Sequence, residues 1–218
     1  MRDGDIHPVM ALLAEAVKSW PSPAVTILSQ REGNPFKVLV SCILSLRTQD
    51  RTTGPASERL FFQADTPEKM LSLSRDEIER AIYPVGFYRN KAAQILAICR
   101  TLVEKYDGVV PDGIDELLTF KGVGRKTANL VVTLGFGKPA ICVDTHVHRI
   151  CNRWGYTCTK TPEETEFALR EKLPGEYWSV INDYLVTFGQ NHCTPVSPRC
   201  STCTLTSFCN RVGVTKSR

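Results

Sequence analysis

Leu117-Leu118-Thr119-Phe120-Lys121-Gly122-Val123-Gly124-Arg125-Lys126-Thr127-Ala128 holds two apolar runs apart by a valine between glycines. Residues 117–120 read as the end of one helix, and Thr127-Ala128-Asn129-Leu130-Val131-Val132 as the body of the next. Gly122-Val123-Gly124 is the turn between them, because glycine permits positive φ and close backbone approach. The N–H groups that open the second helix then point outward, and the helix dipole favours an anion beside them. A nucleic-acid phosphate suits that position, although a contact of this kind carries no sequence information. A G-x-G turn by itself reads first as a packing device between two helices.

The same helical period extends along the chain. Val9, Leu12, Leu13, Ala16, Val17 and Trp20 share one face, as do Ile95, Cys99, Leu102, Val103 and Tyr106. Tyr177, Val180, Ile181, Tyr184, Leu185 and Phe188 form a late stripe. Asn34-Pro35 and Thr66-Pro67-Glu68 are start signals, and both Ser74-Arg75-Asp76-Glu77 and Thr161-Pro162-Glu163-Glu164 have capping-box spacing. Strand alternation is not evident, so the expected class is all-α, built of many short helices. The glycine turn is then no dinucleotide fingerprint, because no strand leads into it. It is no Walker loop either, since G-x-x-x-x-G-K is missing.

The 218 residues are 42% hydrophobic and 23% charged, with a formal net charge of +4, values that allow an anionic partner without requiring one. Apolar runs such as 38–46 and 130–136 are too short to span a bilayer, and Met1-Arg2-Asp3-Gly4-Asp5 does not open a signal peptide. The expectation is a cytoplasmic protein, nucleoid-associated if prokaryotic, with no membrane partner. It is expected to be a monomer, since no apolar helix is left over for self-association. Cys42, Cys99, Cys142, Cys151 and Cys158 read as reduced, buried small hydrophobes.

The full pattern L-L-x-F-x-G-V-G-R-K-T-A matches the helix–hairpin–helix motif, a DNA-binding signal. Arg125 reads as a phosphate contact. Lys126 lies at the start of the second helix, where its positive charge opposes the dipole. It reads either as a nucleophile or as a second phosphate contact. Asp144 lies 18 residues on and precedes another helical run, 145–152. It can cap that helix, and a carboxylate held there stays ionised. An ionised carboxylate can stabilise a sugar cation or take a proton from a nucleophile.

The stretch GVGRKTANLVVTLGFGKPAICVDTHVHRICNR, residues 122–153, resembles the core of the endonuclease III family of helix–hairpin–helix DNA glycosylases. The likeness runs over about 36–209. It implies two helical domains with a DNA-binding cleft between them: residues 27–138 carrying the hairpin, and residues 1–26 plus 139–218 carrying Asp144 and a cluster loop. It implies that Lys126 attacks C1′ of a damaged pyrimidine nucleotide in double-stranded DNA, or of an abasic site, with Asp144 assisting. Release of the base, a Schiff base and β-elimination would follow. Gly122, Val123, Gly124, Arg125 and Thr127 would hold DNA through the hairpin. Arg47 and Phe87 would fill the gap left by the extruded nucleotide, although the family commonly has glutamine at position 47. Arg89 and Lys91 would add phosphate contacts.

The spacing Cys193-x6-Cys200-x2-Cys203-x5-Cys209 is open on its own to a zinc site or an iron–sulfur cluster, with disulfides a third and lesser reading. The x6 and x5 gaps resemble the family's cluster loop and imply a [4Fe–4S] cluster. Only Arg199 is charged between the first two cysteines, fewer basic residues than the family uses there. The alternatives are a mismatch or UV-dimer glycosylase of the same superfamily, or a non-catalytic iron–sulfur DNA-binding protein.

Overall fold

The body of each stretch of three-and-four apolar spacing folds as a helix in a computed structural model that describes all 218 backbone residues and every side chain except those of residues 31 and 32. In order the helices are α1 (Ile6–Val17), α2 (Ala24–Glu32), α3 (Pro35–Ser45), α4 (Asp50–Gln63), α5 (Pro67–Ser72), α6 (Arg75–Ile82) and α7 (Tyr88–Tyr106). They are followed by α8 (Ile114–Leu118), α9 (Arg125–Phe136), α10 (Thr145–Trp154), α11 (Pro162–Lys172) and α12 (Ile181–Asn191). There is no strand among the described residues, and no described helix is long and apolar enough to cross a membrane. The chain is all-α.

The start signals act as local chemistry requires. The Asn34 side chain accepts from the N–H groups of Phe36 and Lys37, with Pro35 supplying a helical φ at no hydrogen-bond cost. Thr66 caps α5 through Lys69 N–H, and Ser74 with Glu77 forms a reciprocal capping box on α6. The fourth signal is only half a box. Thr161 accepts from Glu164 N–H, but the Glu164 carboxylate takes the N–H of Lys160 instead of that of Thr161.

The chain divides into two compact units, Ala24–Lys138 and Met1–Pro23 with Pro139–Arg218. In the first, α3 is buried all round: Val38, Leu39, Val40, Ile43 and Leu44 are fully enclosed. It packs against α2, α4, α7 and α9. Each such side chain contributes roughly 1.5–3 kcal/mol of burial. Gly135 lets α9 approach the start of α3 closely, since a Cβ there would lie 3.0 Å from the Pro35 Cα.

The second unit packs Ile6, Val9, Met10 and Leu13 of α1 with Val147, Ile150 and Trp154 of α10 and Leu185 and Phe188 of α12. Leu12, expected on the same face, is 38% exposed, because the buried stripe follows 6, 9, 10 and 13. Tyr177 lies in a short 3₁₀ turn (Gly175–Tyr177) ahead of α12 and not on its stripe. Cys42, Cys99, Cys142 and Cys151 are buried, whereas Cys158 is exposed on the connection after α10, contrary to expectation.

Candidate functional site

The hairpin is built from α8 and α9. Helix α8 stops at Leu118, and Phe120 already belongs to the turn, where its carbonyl accepts from Val123 N–H at 3.0 Å. Phe120 and Val123 are buried and anchor the turn from inside. Gly122 has φ +77°, a conformation in which a side chain would be strained and would also press on the Gln94 amide. That amide donates to the Lys121 carbonyl at 2.9 Å and braces the turn from α7. Gly124 is the N-cap of α9 and has no side chain with which to cap it. Space is open around its Cα, so the helix start is approachable from outside.

Arg125 is half-buried and Lys126 is exposed at the second position of α9. The Thr127 side chain turns into the core, being only 3% exposed, as does that of Val123. Neither offers its side chain to DNA, and the hairpin contact expected of them reduces to backbone. The period of α9 explains this, because Thr127, Ala128, Val131 and Val132 form its buried face. Cys42 of α3 lies beneath Lys126 closely enough to feel its charge, yet burial pushes that thiol up to about 12. Cys42 is therefore a packing thiol and not a second nucleophile.

Arg47 and Phe87 belong to different loops and meet. Both are exposed, and the Arg47 guanidinium stands 5.8 Å from the centre of the Phe87 ring. Both also hold left-handed backbone, with φ 53° and 58°, which bulky side chains rarely adopt. Such strain clusters at working sites. Arg89 is exposed, lies over the Tyr88 ring at 4.8 Å, and faces Glu79 at 3.7 Å. Lys91 corrects the expectation of a phosphate contact. It is 5% exposed, and its Nζ donates to the carbonyls of Leu44 and Leu46 and to the Thr48 hydroxyl. Nothing in the local sequence marks that lysine as buried, because its cage comes from residues 43 to 47 positions away.

In the second unit Asp144 is the N-cap of α10. Its Oδ1 accepts from His146 N–H at 2.8 Å and from Val147 N–H at 3.0 Å. One oxygen thus takes both capping bonds. The carboxylate is 9% exposed, held in one orientation with its second oxygen outside the cap. Gly189 of α12 sits against His146 and Arg149, where a Cβ would collide with both side chains. Through that close approach Arg149 donates to the Gly189 carbonyl at 3.3 Å and the Cys193 carbonyl at 2.9 Å.

Cys193, Cys200, Cys203 and Cys209 line one pocket together with Arg153, Arg199 and Arg211. All nine cysteines are free thiols. Arg153 donates to Cys193 Sγ at 3.4 Å and to the carbonyls of Thr194 and Pro195, so α10 holds the start of the cysteine loop. Burial first, and then the other three thiols, push Cys203 up; Cys209 shifts the same way, with Cys193 and Cys200 as its neighbours. Four thiols this close suit a group that takes all of them as thiolates, and three arginines suit its negative charge. Among the described residues, no three His, Cys, Asp or Glu side chains are grouped as a single bound ion requires. Arg199 is exposed in this loop, while sequence reading missed Arg149 and Arg153, whose roles depend on loops some 40 residues away.

The sequence pattern of the HhH-GPD superfamily of base excision DNA repair proteins matches residues 40–175. Endonuclease III of Thermotoga maritima is 47% identical over 91% of this chain and 90% of its own. Among solved structures, a non-covalent endonuclease III–DNA complex superposes with a TM-score of 0.85 at 35% identity, covering 97% of this chain and 96% of that one. A trapped endonuclease III–DNA covalent intermediate gives 0.81 at 35% identity, with 97% of both chains covered.

Proposed function

Because the chain belongs to the HhH-GPD superfamily of base excision DNA repair proteins, and within it to the endonuclease III family, we propose that Lys126 and Asp144 divide the work of one glycosylase and lyase reaction. The chain is a bifunctional DNA glycosylase and abasic-site lyase. Its proposed substrate is an oxidised pyrimidine or an abasic site in duplex DNA, bound by a monomer. The observation that carries the assignment of the nucleophile is Lys126 itself: an exposed amine one residue past the first residue of the helix that the glycine turn opens.

In this reading the Gly122–Gly124 backbone holds a phosphate, and Lys126 reaches the neighbouring sugar. The neutral amine of Lys126 attacks C1′. Its lone pair forms the N–C1′ bond while the glycosidic C1′–N bond breaks, and the departing base takes that electron pair and a proton. Asp144 supplies a fixed negative charge to the cationic sugar and accepts a proton from the attacking amine. Opening of the C1′–O4′ bond gives the imine. Loss of a C2′ proton then expels the 3′ phosphate, and water hydrolyses the imine to regenerate Lys126.

Arg47 and Phe87 would occupy the gap left by the extruded nucleotide, as a paired cation and ring suited to stacking. The four cysteines and their arginines fit a [4Fe–4S] cluster. When bound, that cluster supplies four iron–thiolate bonds that staple the C-terminal loop.

The test is borohydride trapping on a duplex bearing one thymine glycol, with Lys126→Gln as control. A covalent protein–DNA band from the wild type alone supports the lysine imine. Base release without a trapped band assigns the attack to water and reduces Lys126 to a phosphate contact.

A further inference from the structure

We propose that Lys91 is a positioning residue for nucleotide extrusion, tying the loop that carries Arg47 to the loop that carries Phe87 so that the two side chains act as one wedge. The inference rests on reading Arg47 and Phe87 as the residues that enter the duplex.

Lys91 joins both loops at once. Its backbone N–H donates to the Phe87 carbonyl at 3.1 Å, fixing it to the first turn of α7 directly behind the wedge. Its ammonium reaches the other loop, donating to Leu44 O at 2.8 Å, Leu46 O at 2.6 Å and Thr48 Oγ1 at 3.1 Å. An ammonium has three N–H donors, and three acceptors surround it. Two of these are carbonyls at the C-terminal end of α3, at the negative end of its dipole, and the Leu46 carbonyl also accepts from the Thr48 hydroxyl at 3.3 Å. The Thr48 hydroxyl also accepts from Gly86 N–H at 3.2 Å, a second strap between the loops. Gly86 allows their contact, since a Cβ there would stand 2.8 Å from the Arg47 carbonyl oxygen.

The consequence is mechanical. Arg47 and Phe87 sit in left-handed backbone that surrounding contacts must hold. A wedge already rigid does not have to be ordered while a base is being unstacked, a step that itself costs a few kcal/mol. An exposed lysine could not do this. Burial pulls the Lys91 ammonium down to about 8, a cost tolerated only where its acceptors are in place.

The experiment compares Lys91→Met, Gly86→Ala and Phe87→Ala with the wild type in single-turnover base excision. One substrate carries the damaged pyrimidine in a fully paired duplex. The other carries it inside a short mismatched bubble, already unpaired. Lys91→Met is expected to slow the paired substrate roughly 10- to 100-fold while changing the bubble less than about 3-fold. Gly86→Ala, which forces the loops apart and leaves the lysine intact, is expected to show the same selectivity, and Lys91→Gln, whose amide keeps a donor toward the carbonyls, replaces Lys91→Met as the test of the lysine if that variant does not fold. Selective loss in Phe87→Ala but in neither of the other two overturns the role of Lys91 and keeps the wedge. Equal loss on both substrates in Phe87→Ala overturns the wedge reading, and the positioning role with it.

Discussion

Gly124→Asp separates stability from binding at the hairpin, because the two should move in opposite directions. Gly124 is the N-cap of α9, its backbone is extended at φ −99° and ψ 176°, and no neighbouring atom lies within 4 Å of the point a Cβ would occupy. An aspartate therefore fits without strain. Its carboxylate can accept the first-turn N–H groups and complement the dipole, stabilising the fold by a few tenths of a kcal/mol to about 1 kcal/mol. The same carboxylate would occupy the position assigned to a DNA phosphate. Losing one or more charge-assisted hydrogen bonds costs about 1.5–3 kcal/mol, or roughly 10- to 150-fold in affinity. The slope of log K against log salt should also fall by about 0.9, one phosphate's worth of released counterions. Fluorescence anisotropy on a duplex with a non-cleavable abasic analogue, measured over several salt concentrations, reads both quantities. Gly124→Asn caps without a charge and should lie between the two proteins. An unchanged affinity and slope for Gly124→Asp, in a protein that melts no lower than wild type, would refute phosphate binding at this helix start.

Asp144→Asn should keep the cap and lose the charge: melting should change little, while excision slows by about 10²–10⁴-fold. Asp144→Ala should lose about 0.5–2 kcal/mol of stability as well, so denaturant melts of the two variants separate the roles. The Lys91 ammonium has a folded value of about 8 against an ordinary 10.5. Between those limits the unfolded chain binds more protons than the folded one, so the wild-type stability should rise with pH there relative to Lys91→Met, as denaturant melts at stepped pH would record. A parallel pH course for the two proteins would contradict a buried ammonium. Gly189→Ala should cost about 1–3 kcal/mol, because the added methyl meets His146 and Arg149 and the latter is already tied to two carbonyls. Calorimetry should show a melting temperature several degrees lower.

Local features were legible without coordinates. Apolar residues at three and four announced the helices, because that period is set by the helix itself. Asn34, Thr66, Ser74 and Asp144 announced helix starts, since a cap reaches only two or three residues along the chain. The glycine turn before Lys126 and the cysteine spacing were legible for the same reason: both are short-range patterns. Burial was not. Lys91 reads like Arg89 in the sequence, yet one is enclosed and the other exposed, because the acceptors for Lys91 come from the end of α3. Thr127 was lost to the core by the facing of α9 toward its neighbours, and Leu12 and Cys158 were left outside. The meeting of Arg47 with Phe87, and of four thiols with three arginines, depends on chain segments that only packing brings together. Helix period and capping act over a turn or so of chain, whereas the surroundings of a charge are decided by whichever distant segments fold around it.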